Sequence, residues 1–277
     1  MNTKISKKTS HVSLYIIAIF LCILFLLPFY YTIVNSLKSI YDSPSIFWQG
    51  LHFENYYLAV TLIPFFQELK SSVLLVFYEL VPNLFFNIMI GYAFARLKAP
   101  GKNFLFILCI STLMLPQVAI QIPQYMMYSK IGLTNNYLVW SLNVIGNGMY
   151  VFLFRQFFAG IPKALEEAAI IDGCSRLGIL FRIFMPLAVP VIAIALFQDF
   201  YWVWSDPISP FMYLHSEKWP LATALFGVSY TIKGSANVQL DSLIDAASIL
   251  MTLPILAAFA FAQKHLAEGI ATTGIKG

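Results

Sequence analysis

Charge is what this sequence has least of. Asp, Glu, Lys and Arg make up 11% of its 277 residues, against 59% in the hydrophobic set. Soluble domains carry about a quarter charged residues, so this chain cannot clothe a water-facing surface of its size. Cysteine is scarce too: Cys22 and Cys109 sit inside apolar runs and Cys174 in a polar loop, which excludes a disulfide framework. The histidines, His11, His52, His215 and His265, are too far apart to assemble a metal-ligand set from local spacing, so no metal is expected. The net charge of +4 comes with no dense Lys/Arg run interleaved with aromatics, which argues against nucleic acid as a partner. A phosphate loop is also missing. The nearest spacings, Gly173 to Gly178 and Gly269 to Gly274, put Ile179 and Ile275 where the lysine would stand. Nor does any His/Asp/Glu cluster or nucleophile–base spacing argue for an enzyme.

Long apolar runs are abundant. A spanning helix needs about 20 apolar residues, and the stretches 13–36, 71–95, 103–128, 137–158, 187–214 and 243–263 predict an all-α membrane protein of six transmembrane helices. These form one transmembrane domain, 1–277. Lys4, Lys7 and Lys8 precede the first run as in a signal peptide, but the run continues uncharged to Lys38 without a small-x-small cleavage site, so a retained span is expected. With the N-terminus inside, only Lys38, Lys70, Lys130, Lys218 and Lys233 of the 17 basic residues fall outside, leaving 17 − 5 = 12 inside. Basic residues are held on the cytoplasmic side, so both termini are expected there, in a multi-pass membrane protein.

The connections have character of their own. Arg96-Leu97-Lys98-Ala99-Pro100-Gly101-Lys102 is a tight inner hairpin marked by its Pro-Gly pair. Short interfacial helices are expected around 56–66, between the first two spans. Pro28, Pro82, Pro116, Pro123, Pro190, Pro207, Pro210 and Pro254 fall within or beside spans, and each frees a backbone carbonyl and favours a kink. Such irregular backbone is tolerated at membrane depth only where protein or a water-filled cavity receives it. That favours a pathway-lining bundle over an inert anchor.

The longest inner loop, 159–186, holds the most local signal. Pro162 suits a first helical position, Glu166 and Glu167 lie toward the positive end of the helix dipole, and Gly173 offers a left-handed C-terminal cap. These predict a helix of about three turns with Leu165, Ala168, Ala169 and Asp172 on one face. A second helix begins after Ser175 and is broken by Pro186. On physics alone, the first helix either rests at the lipid interface or presents small side chains to another protein.

Glu167-Ala168-Ala169, three residues, Gly173, nine residues, then Ile183-Phe184-Met185-Pro186 resembles the "EAA" signature of bacterial ABC importer permeases, with Met185 where that pattern has Leu. Tyr92-Ala93-Phe94-Ala95-Arg96-Leu97, Ile161-Pro162-Lys163, Ile171-Asp172-Gly173 and the tail Thr273-Gly274-Ile275-Lys276-Gly277 extend the resemblance to the maltose-type and glycerol-phosphate-type family over nearly the whole chain. The resemblance implies a type I permease bundle that binds no cofactor itself. It works beside a second homologous permease, two ATPase subunits that hold ATP and Mg, an extracytoplasmic solute-binding protein, and membrane lipid. It further implies that Glu166, Glu167, Ala168, Ala169, Asp172, Gly173 and Pro186 belong to the element that couples to the ATPase.

Polar residues within the spans are candidates for the solute's path, since burial there is costly. They are Glu79, Asn143, Asn147, Asp199, Trp204 and Asp206, with helix–helix hydrogen bonding the alternative for the asparagines and a hydrated structural role the alternative for Asp206. The family often shows Trp-Asn-(Asp/Glu)-Phe-x-x-Pro where this chain has Trp204-Ser205-Asp206-Pro207-Ile208-Ser209-Pro210. The expected function is import of a carbohydrate, an oligosaccharide first, with glycerol phosphate or a polyol as the alternative solute. An ion-coupled secondary transporter would show internal repeats and paired midplane charges, and neither is present.

Overall fold

The structure is a computed structural model that describes residues 2–62, 64–227 and 241–274, with side chains described from 14 to 62, 64 to 226 and 241 to 264. Lys233 and the tail positions Ile275, Lys276 and Gly277 lie outside them. Among the described residues the regular structure is entirely helical. The chain divides into two compact units, Met1–Phe65 with Gly227–Leu253, and Phe66–Phe226 with Pro254–Gly277.

The first unit is built on α1 (Asn2–Ser36) and α2 (Glu54–Thr61), with the start of the last helix, Asp241–Gly274. Every described side chain of α1 from Leu14 to Tyr31 is exposed, which is no penalty in lipid, whose tails are as apolar as leucine. Polarity returns abruptly at its end, where Asn35, Ser36 and Lys38 are buried. Asn55 of α2 donates to the carbonyls of Ser36 (2.8 Å) and Lys38 (2.6 Å), which pairs carbonyls that the helix end leaves open. The Lys38 ammonium donates to Ser45 O (2.9 Å), and Ser45 N–H donates to Asn35 Oδ1 (2.9 Å). This knot closes the expected outer segment, and α2 falls where interfacial helices were anticipated.

The second unit opens with α3 (Phe65–Arg96), a continuous helix that relaxes into one π turn at Asn83–Asn87, just after Pro82. The expected third span is instead two helices, α4 (Lys102–Met114) and α5 (Gln117–Lys130), bent by 106°. The cause is Leu115-Pro116: both are extended, because proline disfavours helix in the residue before it and offers no N–H. The expected fourth span also divides, into α6 (Leu138–Val144) and α7 (Gly148–Gly160), at Gly146 with φ +76°. Neither half is long enough to cross a membrane alone. After α7 come α8 (Lys163–Ile171), α9 (Arg176–Leu187), α10 (Val189–Ser205), α11 (Ile208–Tyr213) and α12 (Leu221–Gly227). Among the described residues, three helices are long and apolar enough to span a membrane, or five segments if each bent pair counts as one.

The helix after Ser175 does not stop at Pro186. A π turn at Leu180–Phe184 sends Met185 N–H back to Leu180 O and carries the helix past the proline, and the chain bends by 78° only at Ala188, ahead of Pro190. The core of this unit lies where α3, α7, α8 and α9 meet, around Tyr92, Phe154, Phe158, Leu180 and Phe184. Tyr92 packs edge-on against Phe158 and Phe184, with ring centres 6.1 and 5.3 Å away.

Gly91 lets α3 and α7 approach this closely. A Cβ there would stand 2.6 Å from Phe154 Cβ and 3.0 Å from Arg155 N. Gly91→Val should cost about 1–3 kcal/mol of packing or more, seen as a lower melting temperature and reduced yield of the solubilised complex. Gly160→Ala, where an added Cβ meets nothing within 4 Å, should leave both unchanged. Equal behaviour of the two variants would show that the α3–α7 contact is not a close-packed one.

Candidate functional site

Three of the helix breaks converge on one space, while the bend at Ala188 lies apart from it. A cavity of about 600 Å³ in the second unit is lined by Leu115 of the α4–α5 bend, by Ile145, Gly146 and Asn147 of the α6–α7 break, and by Asp206, where α10 ends. Its size lies within the usual range for a small-molecule site. Freed backbone at membrane depth has to face protein or a hydrated cavity, and here all three interruptions do.

Asn87 repairs the break between α6 and α7. Fully buried in the π turn of α3, its Nδ2 donates to Val144 O and to Asn83 Oδ1 (both 2.8 Å), and its Oδ1 accepts from Gly146 N–H (2.9 Å). One side-chain amide thus replaces a donor and an acceptor that a continuous helix would have paired internally. Asn147 then caps α7, its Oδ1 accepting from Met149 N–H at 3.0 Å.

The polar lining is acidic and amide-rich. Glu79, Asp199 and Asp206 contribute carboxylates, and among the described residues no Lys, Arg or His lines the cavity. Tyr150 donates to Asp199 Oδ1 (3.1 Å) and Tyr128 to Asn143 Oδ1 (2.6 Å). Asp206 accepts from Ile208 N–H (2.8 Å) and Ser209 N–H (3.1 Å), which gives it a structural task at the start of α11 as well as a place in the wall.

The second feature is the helix–turn–helix formed by α8 and α9. Pro162 stays extended and Lys163 opens a helix of nine residues, about two and a half turns, shorter than expected because the proline remains outside it. Gly173 ends it with φ +78°. Cys174 N–H bonds to Ala169 O (2.9 Å) and Gly173 N–H to Ile170 O (3.0 Å), the paired bonds of a Schellman cap.

One side of α8 is tied into its own chain. Glu166 is buried, with Oε1 2.6 Å from Arg176 Nη1 and Oε2 3.7 Å from Arg96 Nη1. Arg96, the last residue of α3, donates from Nε (3.1 Å) and Nη2 (2.6 Å) to Phe158 O, donates from Nη2 to Ile161 O, and lies over the Phe184 ring. It therefore joins the ends of α3 and α7 to the start of α8.

Of the residues expected to couple to an ATPase, Glu167, Ala168 and Asp172 are exposed, whereas Glu166 and Ala169 are buried. Ala169 does not share the outward face with Leu165, Ala168 and Asp172. The Glu166 ion pairs set the helix's rotation, and Ala169, three residues on, follows Glu166 inward to the core. Pro186 is the penultimate residue of α9, which runs one residue beyond it to Leu187. Of the expected pathway residues, Glu79, Asn143, Asn147, Asp199 and Asp206 all line the cavity. Trp204 does not: it is buried and stacked on Phe200, ring centres 5.3 Å apart, while Trp202 faces the cavity in its place. Sequence reasoning missed the tasks of Asn83, Asn87 and Arg96. A buried amide about 60 residues from the break it repairs leaves no local trace, but an arginine closing a span is a visible signal.

The family described as "Binding-protein-dependent transport system inner membrane component" matches residues 87–272, 186 of the 277 residues. The chain belongs to this family: it is the membrane-embedded permease subunit of an ABC importer, a transport subunit and not an enzyme, and ATP is hydrolysed by a separate chain. It is 33% identical to the arabinooligosaccharides transport system permease protein AraQ of Halalkalibacterium halodurans, over 75% of this chain and 73% of that protein. It is 26% identical to the probable starch degradation products transport system permease protein AmyC of Thermoanaerobacterium thermosulfurigenes, over 96% and 98%. Its fold matches a chain of a bacterial ABC transporter involved in the import of the acidic polysaccharide alginate, with a TM-score of 0.82 at 18% identity over 94% of this chain and 97% of that one.

The ion-pair geometry makes a graded prediction. Arg96→Ala strands two carbonyls and half of the pairing of a buried carboxylate, and removing one partner of such a pair costs about 3–5 kcal/mol. Arg176, with its side chain 57% exposed, is worth about 1 kcal/mol or less in the same role. Thermal unfolding of the solubilised complex should therefore drop far more for Arg96→Ala than for Arg176→Ala, and the reverse order would contradict the arrangement.

Proposed function

We propose that this chain carries a carbohydrate, an oligosaccharide first, across a bacterial cytoplasmic membrane, and that α8 is the element through which a partner ATPase drives it. The assembly in this reading holds a second homologous permease, two ATPase subunits that bind ATP and Mg, and an extracytoplasmic binding protein. The names of the arabinooligosaccharide and starch-product relatives support the solute class. The twelve-to-five division of basic residues supports an orientation with both termini and α8 in the cytoplasm.

The observation that carries the reading is the build of α8. It is short and capped at its C-terminal end, exposed along Leu165, Ala168 and Asp172, and fastened on the opposite side through Glu166 to Arg96. A push on its outer face is delivered to the ends of α3 and α7; α7 begins at the cavity with Gly148, Met149 and Tyr150, and α3 reaches it at Glu79 in mid-helix. ATP closing the paired ATPases would then tip the bundle as a rigid body between inward-open and outward-open states. Glu79, Asn143, Asn147, Asp199 and Asp206 mark the solute's path through it.

Gly173→Val tests the coupling. Its left-handed φ costs a side chain about 1–2 kcal/mol, small against a whole bundle, and the open space around it leaves nothing to clash. The complex should assemble but lose transport, with ATP hydrolysis no longer stimulated by the solute-loaded binding protein; normal uptake by the purified variant would remove the coupling role. Orientation is read separately by thiol labelling. Ser43→Cys and Ser216→Cys should react from outside, Ala164→Cys and Ser175→Cys only from inside, and the opposite pattern would overturn the topology.

A further inference from the structure

We infer that the cavity admits uncharged, hydroxyl-rich solutes and rejects anionic ones, so that uronic-acid oligomers and phosphorylated polyols are not its cargo. The inference rests on the cavity's being the solute's path, as proposed above.

Two independent features of the wall support it. The first is charge: Glu79, Asp199 and Asp206 face the space with no basic side chain among the lining residues. An anion entering would meet carboxylates in a poorly solvated setting, without the guanidinium or ammonium that anion sites use. The second is hydrogen-bond polarity. Gln124 Oε1 is buried on this wall without a hydrogen-bond partner among the described residues, and Asp199, 2% exposed, has an Oδ2 that makes no well-aligned hydrogen bond there, although the Asn83 side chain lies close to its carboxylate. Both atoms are acceptors in need of a donor. A sugar hydroxyl can donate to them, whereas an ionised carboxylate or phosphate group brought beside them only accepts and leaves them unpaired.

The field inside the cavity can be measured without knowing the solute. In the assembled complex in proteoliposomes, with Cys22→Ala, Cys109→Ala and Cys174→Ala removing native thiols, Asn147→Cys places a thiol on the wall. Its rates are compared for two methanethiosulfonate reagents of similar size, one bearing trimethylammonium and one sulfonate, each normalised to its rate with a free small thiol. Rates are taken for the nucleotide-free and the vanadate-trapped complex. The cationic reagent should react about ten-fold faster or more, the lower end of what a like-signed cleft achieves, and the ratio should fall toward one when Asp199→Asn and Asp206→Asn are added. If those additions together prevent assembly, Asp206→Asn alone should lower it. A ratio near one, or one favouring the sulfonate, overturns the inference; if the rates still change with nucleotide state, the path itself stands. Rates that ignore nucleotide state, or no reaction in either state, overturn the path and the inference together.

Discussion

A backbone that stops being helical inside a membrane must find partners for its own N–H and C=O groups, and the second unit of this permease is organised around that demand. Besides the bend at Ala188, its apolar stretches have three interruptions that meet, at Leu115-Pro116, at Ile145–Asn147 and at Asp206-Pro207. Left facing lipid, such breaks would cost several kcal/mol per unpaired group. They are gathered instead around a shared cavity, and Asn87 supplies the bonds that solvent would supply in a soluble protein. The site is the place where the irregular backbone has been made affordable.

The tie between the cavity and the outward helix is mechanical and short. Gly91 removes a side chain so that α3 and α7 touch backbone to backbone, and Arg96 clamps their ends to the start of α8. Deformation therefore has few places to go except the bends. Stiff elements joined at defined bends are what a rigid-body transition requires, since packed cores deform poorly and hinges absorb the change in backbone angle.

Membrane class and helix class were legible from composition and run length alone, because an uncharged apolar stretch of about 20 residues matches the thickness of a bilayer and little else. The cap at Gly173 was legible as well, since left-handed backbone and glycine are joined by steric necessity. The breaks were half legible. Pro116 announced one, but Gly146 lies in a stretch that reads as an uninterrupted span, and what makes its break tolerable is Asn87, far away in sequence. The outward face of α8 was misjudged by one residue step, because helical spacing says which residues share a face but not which way that face points. The Glu166–Arg96–Arg176 contacts decide the direction, and they are tertiary. Trp204 and Trp202 illustrate the same limit two residues apart.

Much of the cavity wall is built from helix ends and not from helix flanks. Leu115, Ile145 and Asn147 line it yet take no part in the aromatic core around Phe158 and Phe184. Substitutions at Leu115 and Ile145 can reshape the chamber without touching that aromatic core, whereas Val144 and Tyr150 serve both wall and core and Asn147 also caps α7. A lineage built this way can drift from one cargo to another through single replacements at the joints, each intermediate still folding, and Leu115 and Ile145 are where such drift would be recorded.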